Sequence, residues 1–219
     1  MNSTSQLITI SDPRSPVSEA YRTLRTNLSF SSLDRPLSTL LVTSPAPDEG
    51  KSTIIANLAV TMAQGGRDTI LVDCDLRRPS LHELFGLAAE PGLTNLALEE
   101  DSQPFLQATG VERLRLLAAG PKPPNPADLL GSKRIDQVIA SLAESADIVL
   151  FDAPPAIAVT DAAVLGAKLD GVLLVIRAGR TRREHAERAK EVLERAKVRV
   201  LGAALTNAPV DGTLDSYYS

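Results

Sequence analysis

Short apolar runs of strand length recur along this chain at Ser38–Thr43, Thr69–Val72, Leu114–Leu117, Ile148–Phe151, Val172–Ile176 and Val198–Leu205. Mostly helix-like stretches separate them, and that alternation builds a parallel sheet with helices on both faces. Val17–Phe30 predicts a helix with Val17, Tyr21, Leu24 and Leu28 on one apolar stripe, to be packed against the sheet edge or a neighbour. Thr53–Gln64, Lys133–Ala143 and Thr181–Ala196 are the other predicted helices, the first closed by Gly65-Gly66 in the manner of a C-cap. Four prolines within Gly120–Pro126 mark an extended loop or a linker. After Asn207 the pattern stops, and 208–219 is expected to be a mobile tail following one folded unit over 1–207.

Composition narrows the class. A length of 219 residues with 43% apolar content suits a single α/β domain with a sizeable core. The net charge of −4 supplies no basic field for nucleic acid or an anionic membrane. A lone cysteine, Cys74, excludes an intramolecular disulfide and a cysteine-cluster metal site. No apolar signal segment opens the chain, and no run approaches the ~20 apolar residues of a spanning helix. The expected compartment is the cytoplasm, with any membrane role exerted through a partner. His82 and His185 read as ordinary polar residues, and Cys74 as a small core or site-edge residue.

Candidate chemistry begins where the first strand runs into Ser44-Pro-Ala-Pro-Asp-Glu-Gly-Lys-Ser-Thr53 and then a helix, the context of a phosphate-binding loop. Main-chain N–H groups and the helix N-terminus can surround polyphosphate, Lys51 can reach the β- and γ-phosphates, and the Ser52 hydroxyl can ligate Mg²⁺. The first glycine of the general pattern is replaced by Pro45, so a surface loop with a chance Gly-Lys-Ser stays open on this segment alone. Asp73 and Asp75 after one strand and Asp152 after another weigh against that reading. Strand ends of a parallel sheet share one edge, so these three acids converge near Lys51. They suit direct or water-mediated Mg²⁺ ligation, although any one of them could be merely a turn residue. Arg77 or Arg78 can add positive charge there or serve as a solvated salt-bridge residue.

Five segments in order resemble the bacterial tyrosine kinases of capsule and exopolysaccharide synthesis, the BY-kinases of CpsD/CapB type: Ser18–Leu28, Pro47–Thr53, Val72–Pro79, Ala119–Pro126 and Phe151–Pro155. The likeness runs from about Pro16 to about Asn207. It implies a P-loop NTPase fold of MinD/ParA type with a mainly parallel sheet flanked by helices, and ATP and Mg²⁺ as cofactors. By this resemblance Lys51 is the Walker A lysine, and Ser52, Asp75 and Asp152 are the metal-binding set. Asp73 and Asp75 form the Walker A′ pair, with Asp73 placed to take the proton of a tyrosine hydroxyl, and Asp152 is the Walker B acid. Nucleotide contacts fall on Asp48, Glu49, Gly50, Lys51, Ser52 and Thr53, with Asn207 or Thr206 at the base. Asp48 stands where the family has glycine, so a positive φ is expected there, and its charge would weaken nucleotide binding. The alternative reading is a MinD/ParA-like ATPase switch that binds a membrane partner without tyrosine transfer. That branch carries an extra lysine early in the loop, where this chain has Ala46.

Glu19, Arg22 and Arg25 recur every third residue beside the apolar stripe, either as a solvated ridge or, by the resemblance, as the subunit contact of a ring. The family further implies activation by the cytoplasmic tail of a separate membrane polysaccharide co-polymerase, which places the kinase at the inner face of the membrane, and reversal by a tyrosine phosphatase. Tyr217 and Tyr218 would be the phosphoacceptors. The segment 208–219, extended at about 3.4 Å per residue, spans roughly 40 Å and reaches a neighbouring subunit's site.

Overall fold

The computed structural model describes residues 7–31, 35–99 and 104–208. Along the chain the helices are α1 (Ile8–Ser11), α2 (Pro16–Ser31), α3 (Lys51–Gln64), α4 (Leu81–Phe85), α5 (Leu93–Leu98), α6 (Pro126–Gly131), α7 (Lys133–Glu144), α8 (Asp161–Gly166) and α9 (Arg183–Arg195). The strands are β1 (Thr39–Thr43), β2 (Thr69–Asp73), β3 (Gln107–Ala108), β4 (Leu114–Leu117), β5 (Ile148–Asp152), β6 (Gly171–Arg177) and β7 (Val200–Thr206). They form one sheet in the order β3-β4-β2-β5-β1-β6-β7. All neighbours are parallel except the two-residue β3, which runs antiparallel to β4.

Both faces of the central strands are apolar, and the period-2 geometry of a strand divides them between two cores. Leu40, Val42, Leu71, Ile148, Leu150, Leu173 and Val175 face α1 to α4, packing against Leu7, Tyr21, Leu28, Ile55, Leu58 and Phe85. Leu41, Ile70, Val72, Val149, Phe151, Val172 and Leu174 point the other way, onto Leu93, Leu130, Ile135, Leu142, Leu165 and Leu193 of α5 to α9. On α2, Tyr21 and Leu28 are buried as the stripe predicts, whereas Val17 is 46% exposed and lines an open cleft.

This strand order sets β2, β5 and β1 side by side at the centre. Their carboxyl ends therefore deliver Asp73, Asp152 and the loop after Thr43 to neighbouring places on one edge. Among the described residues, no helix is long and apolar enough to cross a membrane. The predicted tail lies outside the described residues beyond Ala208, and Tyr217 and Tyr218 with it.

Candidate active site

The loop after β1 is fixed at its base by hydrogen bonds to the segment after β5. Thr43 Oγ1 donates to the Pro154 carbonyl at 2.7 Å, and the Ala156 N–H donates to the Ser44 carbonyl at 2.8 Å. At its far end the loop turns through two left-handed residues, Asp48 (φ 61°) and Gly50 (φ 87°), before α3 begins at Lys51. Glycine meets that demand without strain, and aspartate tolerates it better than most residues. The positive φ expected at Asp48 is thus present. The first N–H groups of α3 have no acceptor within the helix and add their share of the helix dipole, which favours an anion at this end.

Lys51 reaches across to the acids. Its ammonium lies 2.9 Å from Asp75 Oδ2 and 3.3 Å from both oxygens of Asp152. Ser52 Oγ donates to Asp152 Oδ2 at 2.6 Å. Asp73 is held differently: its carboxylate accepts main-chain N–H bonds from Asp75 at 3.2 Å and from Ser80 and Leu81 at 3.0 Å each. Asp75 Oδ1 accepts from the Arg78 N–H at 3.0 Å, closing a tight turn that aims its other oxygen at Lys51. The structure therefore brings Lys51, Ser52, Asp73, Asp75 and Asp152 into one cluster, as the convergence of strand ends predicts.

Burial dominates the electrostatics. Desolvation, reinforced by the charge of Asp152, pushes the Asp73 carboxyl up to about 7, against the pull of the N–H groups of Leu81 and Ser80 and of Lys51. Asp152 is also raised, because loss of water outweighs the attraction of Lys51 and the Ser52 hydrogen bond. For Lys51 burial works downward, but Asp152 and Asp75 more than offset it, and the ammonium is held above its usual range. Burial pushes the Cys74 thiol well up, which suits a packed residue rather than a nucleophile. Three buried acids facing one lysine leave the cluster with an excess of negative charge that a divalent cation would offset. Among the described residues, no three His, Cys, Asp or Glu side chains are grouped as a metal site of their own. Magnesium at a phosphate site needs only one or two protein oxygens, with phosphate and water completing its shell, so the hard-oxygen set of Ser52, Asp75 and Asp152 fits it.

A cleft of about 810 Å³ opens beside the loop, between α2 and the end of β7, bordered by Asp48, Glu49, Gly50 and Thr53. Thr206 and Asn207 both line it, while Lys51 and the three acids lie outside its wall. Glu49, although it borders the cleft, is only 3% exposed, whereas Asp48 remains on the surface.

Of the charged ridge on α2, Arg22 Nη1 donates to Glu19 Oε2 at 2.6 Å, and Arg22 Nη2 donates to the Pro13 carbonyl. Arg25 turns inward instead. Its Nη1 donates to the Thr61 carbonyl at 2.6 Å in the last turn of α3, and the guanidinium lies over Gly65, where an added Cβ would come within 2.5 Å of it.

Two site-edge residues, Asp161 and Thr181, carry no local signal in the sequence, and Thr206, read there only as a candidate for the base, has a further role. Asp161, fully buried, takes a bidentate ion pair from Arg77 at 2.9 and 3.0 Å, which gives Arg77 the salt-bridge role. Thr181 and Thr206 both hydrogen-bond to Glu49. Each of these pairings spans more than 80 residues of chain and is set by the sheet order alone.

Comparison with known proteins agrees with this geometry. The family model described as ParA, the NUBPL iron-transfer P-loop NTPases, matches residues 38–207. Tyrosine-protein kinase YwqD of Bacillus subtilis (strain 168) is 44% identical over 200 residues, covering 91% of this chain and 84% of that protein. The chain belongs to the bacterial tyrosine-protein kinase family. Solved structures place the kinase in the same group. The chimerical protein CapA2B2 superposes with a TM-score of 0.90 at 36% identity, covering 94% of this chain and 91% of that one. The kinase domain of Escherichia coli tyrosine kinase ETK gives 0.87 at 31% identity, covering 94% and 82% respectively. The kinase thus combines a ParA-type P-loop fold with tyrosine-kinase ancestry, and of the two activities read from the sequence the tyrosine kinase is the one that stands.

Proposed function

We propose that this kinase autophosphorylates in trans: residues 1–207 act as the catalytic unit, 208–219 as the acceptor segment, and Tyr217 and Tyr218 receive phosphate from ATP bound to a neighbouring subunit. The observation that carries the reading is the register of Asp73 beside Asp152, with Lys51 reaching from the P-loop to the same edge. The N–H groups around Gly50–Thr53 and the Lys51 ammonium hold and neutralise the phosphates. Ser52, Asp75 and Asp152 would hold Mg²⁺, which supplies charge neutralisation on the transferring group. Asp73 is fixed by three N–H donors at the base of the site, so its carboxylate is positioned, without a lysine ion pair of its own, to accept the proton of an incoming phenol. Asn207 and Thr206 line the cleft beside the loop and are the candidates for contact with the base. The exposed carboxylate of Asp48 would oppose the phosphates.

Glu19 and Arg22 pair with each other at a half-exposed position on the α2 ridge, and we assign the ring contact to them together with Arg25. Activation by the cytoplasmic tail of a membrane polysaccharide co-polymerase, reversal by a tyrosine phosphatase, and a place at the inner face of the membrane in capsule or exopolysaccharide synthesis complete the proposal. They are supported by membership of the family and by the likeness to the chimerical CapA2B2 structure. A mixing experiment tests transfer between subunits. Lys51→Met chains retain the acceptors, and Tyr217→Phe/Tyr218→Phe chains retain the site. With Mg-ATP, phosphotyrosine is expected on the Lys51→Met chains only in the mixture; its absence there would overturn transfer in trans.

A further inference from the structure

A carboxylate inside a phosphate-binding loop opposes anion binding unless it is turned away and its charge is satisfied elsewhere. Glu49 meets both conditions. It is buried, its Oε2 accepts from the Ala46 N–H at 3.3 Å, and its Oε1 accepts from the Thr181 hydroxyl. The proton on that hydroxyl is directed, because Thr181 Oγ1 already accepts the Arg177 N–H at 2.9 Å and so has its donor free for Glu49. The adjoining peptide units are gripped from the same side. Thr206 Oγ1 donates to the Glu49 carbonyl at 2.9 Å, and Arg177 Nη1 donates to the Asp48 carbonyl at 3.1 Å. Next in the chain, Gly50 has a φ of 87° and lies against the Thr206 side chain, where an added Cβ would stand 3.5 Å from Cγ2. The ends of β6 and β7 and the turn between β6 and α9 thus hold the loop at the point where its backbone turns left-handed.

We propose that Glu49 is a positioning residue: its carboxylate fastens the P-loop to Thr181, holding the loop in the shape that accepts polyphosphate, and does not itself touch the nucleotide. The inference rests on the reading of 44–53 as the nucleotide site. It assigns Thr181, distant in sequence, to that site, and it explains how an aspartate keeps the left-handed turn at position 48.

Calorimetric titration with Mg-ADP separates the possibilities in the full chain, comparing wild type, Glu49→Leu, which has no acceptor for the Thr181 hydroxyl, Thr181→Val, the double variant and Thr181→Ser. A hydrogen bond to a buried charge lost from the loop is expected to weaken Mg-ADP binding about tenfold or more in each single variant. The double variant should bind no worse than the poorer single one, because both changes break the same link. Thr181→Ser, which keeps the hydroxyl, should bind as wild type does. Without nucleotide, the amides of 46–50 should exchange faster in Thr181→Val than in wild type. Binding by Thr181→Val equal to wild type, full additivity of the two losses, or unchanged amide exchange would overturn the inference while leaving the nucleotide site in place. Failure of wild type to bind Mg-ADP would overturn the reading of 44–53 and this inference together.

Discussion

Asp73 and Asp152 are register partners at the ends of adjacent parallel strands, both fully buried, yet Lys51 hydrogen-bonds to Asp152 and pairs with Asp75, while Asp73 accepts from the main-chain N–H groups of Asp75, Ser80 and Leu81. Two carboxylates so close cannot both ionise freely; burial and then the charge of Asp152 raise the Asp73 carboxyl, and burial raises Asp152 against the pull of Lys51.

That asymmetry predicts how stability depends on pH in the absence of nucleotide and metal. Burial, with the charge of Asp152 beside it, pushes the Asp73 carboxyl of the folded chain up to about 7, above its ordinary value of 3.8. Folding therefore takes up a proton between these values; the stabilisation is fully present below the lower one and is lost as pH rises through the upper. Asp73→Asn removes this loss. Urea denaturation should show the variant gaining on wild type between about pH 4 and about pH 7. A difference that stays flat, or moves against the variant as pH rises, would contradict the account.

Lys51 is as much a structural counterion as a ligand for phosphate. Replacing it by methionine leaves Asp75 and Asp152 without their cation, and removing one partner of a buried ion pair typically costs about 3 kcal/mol or more. Lys51→Met should accordingly unfold at lower denaturant, with part of the deficit recovered at acid pH, and should lose tyrosine-kinase activity. Unchanged denaturation midpoints at neutral pH would show that the cluster does not need the lysine to fold.

Arg22 and Arg25 belong to one motif in the sequence but to two environments in the fold. Arg25 donates into the last turn of α3, so Arg25→Ala should lower the stability of the isolated chain by about 1.5–3 kcal/mol, the range for a hydrogen bond involving a charged group. Arg22 pairs with Glu19 at a half-exposed position, and Arg22→Ala should stay within about 0.5 kcal/mol of wild type. Thermal unfolding distinguishes them. Arg22→Glu should leave the fold intact and dissociate any ring by light scattering; an assembly that persists would remove Arg22 from the contact.

Much of this arrangement was legible in the sequence because it is local. Apolar runs mark β1, β2, β4, β5, β6 and β7 to within a few residues, and acids just past β2 and β5 reach the same edge in any parallel sheet. The elements left unread are those too short for a period to show: the two residues of β3, the four of α1, and α4, α5, α6 and α8 with five or six each. The helix predicted from Thr53 begins at Lys51, since its N-cap is a left-handed glycine rather than one of the side-chain caps that mark a start. Asp161 under Arg77 and Thr181 under Glu49 were beyond reach for a different reason. Neither pair has a spacing that recurs, and only the order of strands decides that they meet.

The central claim is that this P-loop site transfers phosphate to the tyrosines at 217 and 218. Intact-mass measurement of the activated chain after incubation with Mg-ATP tests it most directly, with Tyr217→Phe/Tyr218→Phe as the control. Wild type should gain phosphoryl mass and the double variant should gain none; equal gain by both, or no gain by wild type, would contradict the account.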